Sequence, residues 1–296
     1  MNRNRMKLGL GTVQFGMDYG VSNRQGRTPP QEVGRILAYA AEHGIRVLDT
    51  AAIYGGSEEV LGSLLPKWHR FDIVTKLPSL LSEEGRFDAE AADRMLAQSL
   101  SRLRQSSVYG LLLHRPNDLL SPAGDKVMAW LLRCREEGLV EKIGVSVYAE
   151  DDVDGLSARY PIQLIQAPVN IFDQRLVRSG VLRRCKERGA EVHARSVFLQ
   201  GLLLMETDEL PAYFRPYAHQ IEGYRRYVRI NGLAPLEAAL AYVNELEEVD
   251  AFVCGVNDCT QLLQLVSALL GEGRGLDFGS FAVNDPALLN PAQWQL

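Results

Sequence analysis

Four residues at the ends of apolar runs carry the first chemistry visible in this chain. The stretch "RVLDTAAIYGG" holds Asp49 and Tyr54, "DIVTKL" brings Lys76 to its end, and "YGLLLHRP" sets His114 directly after a leucine run. A phenol with an ordinary pKa of about 10 is a poor acid at neutral pH, and a nearby ammonium lowers that value by favouring phenolate. Lys76 is the candidate ammonium. Burying it costs several kcal/mol unless it is paired, the role expected of Asp49. An imidazole at position 114 can donate a hydrogen bond to a carbonyl oxygen and hold it against the phenol. The four read as a device for protonating a carbonyl oxygen, useful where a nucleophile such as hydride reaches the carbonyl carbon.

Such convergence needs a scaffold that ends several strands at one face. Eight short β-branched or Leu-rich runs are expected as strands, at 7–15, 45–50, 72–77, 109–114, 142–147, 164–169, 191–197 and 251–256. Between them lie stretches of helical periodicity, among them "PQEVGRILAYAAEHG", "SEEVLGSLL", "KVMAWLLRCREEG" and "RLVRSGVLRRCKERG", several closing at a glycine such as Gly44, Gly138 or Gly189. Eight βα units in about 300 residues specify a single (β/α)8 TIM barrel over residues 1–296. Its active site is expected at the C-terminal ends of the strands, where all four residues fall. An open doubly wound sheet is disfavoured, because "GLGTVQFG" lacks the GxGxxG spacing and no helix follows it promptly.

One connection is too long for a plain βα turn. From Phe198 to Ala234 the chain carries Tyr213, Phe214, Tyr217, Tyr224 and Tyr227. An elaborated loop after the seventh strand is expected, with at least one helix of its own, covering the barrel mouth. Its tyrosines read as internal packing.

Composition narrows the partners. Net charge is −5, 46% of residues are hydrophobic and 23% are charged, and no long run of Lys and Arg is present, so no nucleic-acid footprint is visible. No segment approaches the roughly 20 apolar residues of a membrane span. The basic start "MNRNRMKLGLGTVQFG" has too short an apolar run for a secretory signal, which points to the cytoplasm. Cys134, Cys185, Cys254 and Cys259 have no zinc-site spacing and read as buried free thiols. His43, His69, His193 and His219 show no ligand spacing either, so no metal is expected.

At this point the chain resembles the aldo/keto reductase superfamily. The resemblance rests, in order, on "GLGTVQFG", "LDTAAIYGGSEEVLG", "VTKL", "LLLHRP", "GVSVY", "QAPVNIFDQR" and "RSVFLQGLLL". It implies that Tyr54 is a general acid tuned by Lys76 and Asp49, that His114 orients the carbonyl, and that a nicotinamide dinucleotide delivers hydride. It further implies cofactor contacts from Thr12, Ser146, Gln166, Arg195, Ser196, Gln200, Gly201, Gly255, Asn257 and Gln261. Ser146 and Gln166 would meet the carboxamide.

Departures from the family pattern bear on the cofactor. Val147 replaces an Asn beside Ser146, Arg195 stands where many members stack an aromatic ring on the nicotinamide, and Val13 stands where many place a pocket Trp. After Gly255, where members that prefer the phosphorylated cofactor carry cations, this chain has "VNDCTQLLQL". NADP(H) is the family's expectation and NAD(H) the alternative. The substrate is expected to be a small carbonyl compound, sugar-like or otherwise. Two rival functions are a Schiff-base lyase using Lys76 and a non-enzymatic dinucleotide-binding subunit. Oligomeric state is left open.

Overall fold

Parallel strands covered by helices are buried on both faces, so they appear in sequence as continuous apolar runs. In the computed structural model, which describes residues 6–68, 71–270 and 275–295, these runs close into a barrel in simple sequence order. His69 lies outside the described residues. The strands are β1 Leu8–Gly11, β2 Val47–Asp49, β3 Asp72–Leu77, β4 Val108–Leu113, β5 Val140–Ser146, β6 Leu164–Pro168, β7 Glu191–Arg195 and β8 Ala251–Gly255. All pair in parallel, and β1 closes the ring on β8 through Leu8↔Phe252 to Gly11↔Gly255.

Side chains alternate along a strand, and this alternation builds the interior in layers. Val47, Val74, Leu112, Leu164 and Ala251 form a small buried cluster inside the barrel, separate from the large core between strands and helices. Two residues further along four of those strands stand Asp49, Lys76, His114 and Gln166. The same parity carries Ser146 on β5 and Arg195 on β7. The apolar layer is thus the floor on which a polar layer stands at the strands' C-terminal ends.

The expected strand at 7–15 is too long. β1 stops at Gly11, and Val13–Gly16 form one helical turn closed by Phe15 N–H to Thr12 O and Met17 N–H to Val13 O. Val13 and Phe15 are buried there, so apolar loop residues imitate a strand. The helical stretch after β6 is two short helices, Arg175–Arg178 and Val181–Glu187, because Gly180 between them takes φ +72°.

The long connection after β7 does contain a helix, Ala218–Ile230, preceded by three 3₁₀ turns. Only its beginning reaches the barrel mouth, with Phe198, Gln200, Gly201 and Leu204 facing the central cavity. The rest packs on Phe172, just after β6, and on residues 278–294. Tyr224 meets Phe172 and Phe281 edge-on, Tyr213 donates to the Ala287 carbonyl at 2.9 Å, and Tyr217 donates to Asp285. Cys134, Cys185 and Cys254 are buried and free, whereas Cys259 is only half-buried. Among the described residues no helix is long and apolar enough to cross a membrane.

Candidate active site

Lys76 is fully buried at the end of β3 and spends its three N–H groups on Asp49 Oδ1 at 2.7 Å, Asp49 Oδ2 at 2.8 Å and the Thr50 carbonyl at 2.9 Å. From across the barrel Gln166 Nε2 donates to Asp49 Oδ1 at 2.6 Å. A buried ion pair needs further hydrogen bonds to offset its desolvation, and here every Lys76 N–H is used while Gln166 adds a contact to Asp49. Burial is the largest influence on Lys76 and lowers its pKa, while Asp49 opposes that shift.

Tyr54 lies in the loop between β2 and helix Ser57–Leu64, and short-range packing fixes its backbone. Its N–H reaches Ala51 O at 3.0 Å and its carbonyl accepts from Ser57 N–H at 3.1 Å. The buried Ser57 hydroxyl ties this loop to β1, donating to Thr12 O at 2.8 Å and lying 2.9 Å from the Thr12 hydroxyl. Gly16 is the other half of the clamp, since a Cβ there would stand 1.9 Å from Tyr54 O.

The Tyr54 ring sits with Lys76 Nζ 5.0 Å from its centroid and meets His114 edge to face, with centroids 5.9 Å apart. Burial first, then Asp49, push the phenol well above its usual pKa, and the guanidinium of Arg195 works the other way. The sequence alone suggests a phenol lowered by Lys76; the structure differs because burial, and after it the Asp49 carboxylate, prevail. Burial and then the Lys76 charge drive His114 down to about 4, so its ring is neutral at physiological pH.

These groups open into a cavity of about 980 Å³ that runs from Tyr54 and His114 to Asn257, just before helix Cys259–Leu269, and to Gln264 and Leu265 within it. Ser146, Gln166, Arg195, Ser196, Gln200, Gly201, Gly255 and Gln261 all line it. Thr12 lines it too, although its hydroxyl is committed to Asp49 O at 2.9 Å and to Ser57. Arg195 Nη2 donates to Val147 O at 2.9 Å, and its guanidinium stacks 4.3 Å from the Tyr148 ring centroid. Asp258 caps the helix by accepting from Gln261 N–H at 2.8 Å, Glu32 accepts from Cys259 N–H at 2.8 Å, and Gln261 Oε1 takes Asn257 N–H at 2.8 Å.

The segment between Met17 and Thr28, not among the candidate residues above, also belongs to the site. It crosses from β1 to the loops after β7 and β8, through Val21 N–H to Gln200 O at 3.1 Å, Asn257 Nδ2 to Gly26 O at 3.0 Å and Arg24 to Glu209 at 3.0 Å. Met17, Tyr19 and Asn23 from this strap line the cavity, as do Gln14 and Arg115. The signal was its place, a long polar loop on the C-terminal side of a barrel strand. Gln14 Oε1, Gln166 Oε1 and His114 Nδ1 are buried without a hydrogen-bond partner. Orphaned polar atoms in a cavity of this size fit a ligand bearing both amide and hydroxyl groups, as a nicotinamide dinucleotide does.

Comparison with known proteins agrees in one direction. The aldo/keto reductase family model matches residues 7–272. An uncharacterised oxidoreductase of Bacillus subtilis, YcsN, is 25% identical over 209 residues, covering 65% of this chain and 69% of its own. An aldo-keto reductase of Mycobacterium leprae is 30% identical over 169 residues, 55% of this chain and 51% of that one. Among solved structures, the glycerol dehydrogenase of Gluconobacter oxydans aligns with a TM-score of 0.71 at 23% identity, covering 92% of this chain and 89% of that one. The last likeness speaks for the fold alone.

Proposed function

Because the chain belongs to the aldo/keto reductase family, we propose that it reduces a small aldehyde or ketone to the alcohol, with Tyr54 as the proton donor and NADP(H) or NAD(H) as the hydride source. The observation that carries this reading is the buried Lys76–Asp49–Gln166 network set directly beneath Tyr54 and His114 at the foot of the large cavity. The dinucleotide, when bound, supplies hydride to the carbonyl carbon.

The protein's own groups handle the oxygen. His114, neutral at working pH, has one N–H to donate to the carbonyl oxygen and so polarise it. Tyr54 then gives its proton to that oxygen as negative charge develops there. Ser146 and Gln166, side by side in the β5–β6 register, would hold the nicotinamide amide, and the unpartnered Gln166 Oε1 is the acceptor such an amide needs. Lys76 has no N–H uncommitted, and its charge is held by Asp49, which speaks against an amine free to form a Schiff base.

For the choice of dinucleotide, the segment after Gly255 offers amides and carboxylates, with Asp258 and Glu32 already on the N–H groups of the helix start. Each lost cation–phosphate contact removes roughly 1.5–3 kcal/mol. A relative in Schizosaccharomyces pombe is named as NADP(+)-dependent. In this protein we expect both dinucleotides to bind, with NADPH favoured by less than about 100-fold, or about 2.7 kcal/mol.

A panel of aldehydes and ketones assayed with each dinucleotide, on the wild type and on Tyr54→Phe, tests the reading. Turnover in the wild type that drops at least roughly 10²-fold in Tyr54→Phe, with dinucleotide binding retained, is the expected result. Equal turnover in the two proteins defeats it.

A further inference from the structure

The two sides of the cavity differ in what they can hold. In a closed ring of eight strands β4 stands opposite β8. A dinucleotide held by Ser146, Gln166, Gln200 and Asn257 takes the side of β5 to β8, which leaves the loops after β1 to β4 to meet the body of the substrate. That side is apolar and open: Met17 and Tyr19 of the strap and Ile53 beside Tyr54 line the cavity and are 39%, 40% and 54% exposed. One such residue is ordinary, but three at the mouth of one cavity mark a binding surface.

A cation lines the same side. Arg115 directly follows His114, whose N–H donates to Leu77 O at 2.9 Å at the end of β4, and precedes Pro116, which caps the short helix Asn117–Leu120. Its backbone is thus fixed on both sides, one residue from the imidazole assigned to the carbonyl oxygen. It is exposed, and among the described residues its guanidinium has neither a hydrogen bond nor an ion pair, so its five N–H donors are uncommitted.

The other charges along the cavity are spent. Arg24 is paired with Glu209, and Asp49 with Lys76. Asp118, the one carboxylate on the loop of Arg115, is buried and accepts from Ser79 Oγ and Leu80 N–H, both at 2.6 Å. Arg195 stands on the dinucleotide's side, where it donates to Val147 O at 2.9 Å and lies against the Tyr148 ring. Two guanidiniums and one carboxylate are therefore left without an ion-pair partner, a positive excess in a chain of net charge −5. A cleft lined by an excess of one sign concentrates ligands of the other.

We propose that Arg115 is a specificity-determining residue that selects carbonyl compounds carrying an anionic group, a carboxylate or a phosphate, on an apolar skeleton. The planar fork of a guanidinium matches both anions through two parallel hydrogen bonds. With the carbonyl oxygen between Tyr54 and His114, the skeleton lies against Ile53, Met17 and Tyr19 and the anion meets Arg115. The inference rests on the reading of Tyr54 and His114 as the carbonyl site and names its substrate class. Arg115 takes no part in the proton or hydride transfer.

The test uses 4-formylbenzoate, 4-formylphenyl phosphate and the neutral 4-formylbenzamide, which share one aldehyde on one ring, and their 3-formyl isomers, which vary the reach. Two quantities are read: kcat/KM with the dinucleotide that supports turnover, and Kd by calorimetry with and without oxidised dinucleotide, where no reduction occurs. In the wild type the better anion is expected to exceed the amide by at least about 10-fold in both, the kinetic difference residing in KM. That ratio, taken within each protein and so independent of the amount folded, should fall below about 3 in Arg115→Met and invert in Arg115→Glu. Whichever anion gives the larger ratio identifies the group. A smaller ratio in the wild type, equal or absent binding of anions and amides, or a ratio that survives in Arg115→Met overturns the inference, as does one lost in Arg195→Met but kept in Arg115→Met. Absence of turnover with every carbonyl would defeat the proposed function, while the calorimetric preference and its dependence on residue 115 would still be scored, so the two failures are distinguishable.

Discussion

Removing the carboxylate beneath the site is the sharpest perturbation the structure offers. Asp49→Asn keeps the size of the side chain and an acceptor for Lys76, but it strips the counter-charge from an ammonium with no exposed surface. If Lys76 stayed charged, breaking a buried pair would cost about 3–5 kcal/mol. Burial already lowers its pKa with Asp49 present, and Asp49 is what raises it. Without that carboxylate the amine should fold neutral. Giving up a proton at pH 7 from an ordinary value near 10.4 costs about 1.36 kcal/mol for each of about 3.4 units, or about 4.6 kcal/mol. The sign of the pH dependence follows. A lysine depressed in the folded state binds fewer protons folded than unfolded, so stability rises with pH from the folded value up to about 10.4. Urea denaturation of wild type and Asp49→Asn should therefore show a deficit of about 3–5 kcal/mol at pH 7 that shrinks by about 1.4 kcal/mol per unit between pH 8 and 10. A deficit below about 1 kcal/mol at pH 7, or one that does not change with pH, would refute the account of Lys76 as a buried amine dependent on Asp49.

Other consequences are as direct. Borohydride added with a carbonyl compound should leave no adduct on the peptide containing Lys76, as read by mass spectrometry, and a trapped adduct there would revive the Schiff-base lyase. His114, held near pH 4 by burial and the Lys76 charge, should leave the reduction rate flat from pH 7 to about 5, where an ordinary imidazole would titrate. A limb near pH 6.5 that disappears in His114→Gln would contradict that environment. Gly16→Ala would drive a Cβ to 1.9 Å from Tyr54 O and 2.4 Å from Ser57 N, so it should displace the Tyr54 loop and cost at least 10-fold in turnover even where the protein still folds. Turnover equal to wild type in a folded Gly16→Ala protein would mean that the clamp is not needed.

The barrel was legible because a parallel strand buried on both faces leaves an uninterrupted apolar run, and "DIVTKL" matches β3 at both ends. Where the reading erred, local pattern and tertiary setting diverged. Val13 and Phe15 are buried by the loop they sit in, so they lengthened the apparent β1, and Gly180 broke a stretch whose periodicity was continuous. The position of the strap between Met17 and Thr28 after β1 marks it as a site loop, but its path is hidden for a stronger reason. Its course is set by hydrogen bonds to Gln200 and Asn257, some 180 and 230 residues away, and no local pattern encodes those. Gln14 is similar, since the space its amide occupies exists because Gly255 has no Cβ.

Residue types alone would not have distinguished the site. At the opposite end of the same barrel Tyr109, Lys142, Glu191 and His193 form a second group with a phenol, an ammonium, a carboxylate and an imidazole. Tyr109 donates to Glu191 at 2.6 Å, Lys142 pairs with the same carboxylate, and His193 Nε2 lies 2.7 Å from its other oxygen. Every member except His193 is part-exposed, and none of the four lines the central cavity. The difference is direction along the strands. Loops at the C-terminal ends enclose a cavity with unpartnered polar atoms, whereas the lower group satisfies itself around Glu191, whose acid is held far below the carboxylate range by His193, Lys142 and Tyr109. A carboxylate saturated in this way binds its neighbours and has little left for a ligand. The upper group likewise saturates Asp49, but it leaves Tyr54, His114 and Arg195 facing open space, and that asymmetry is the physical content of the rule that barrel chemistry happens where strands end.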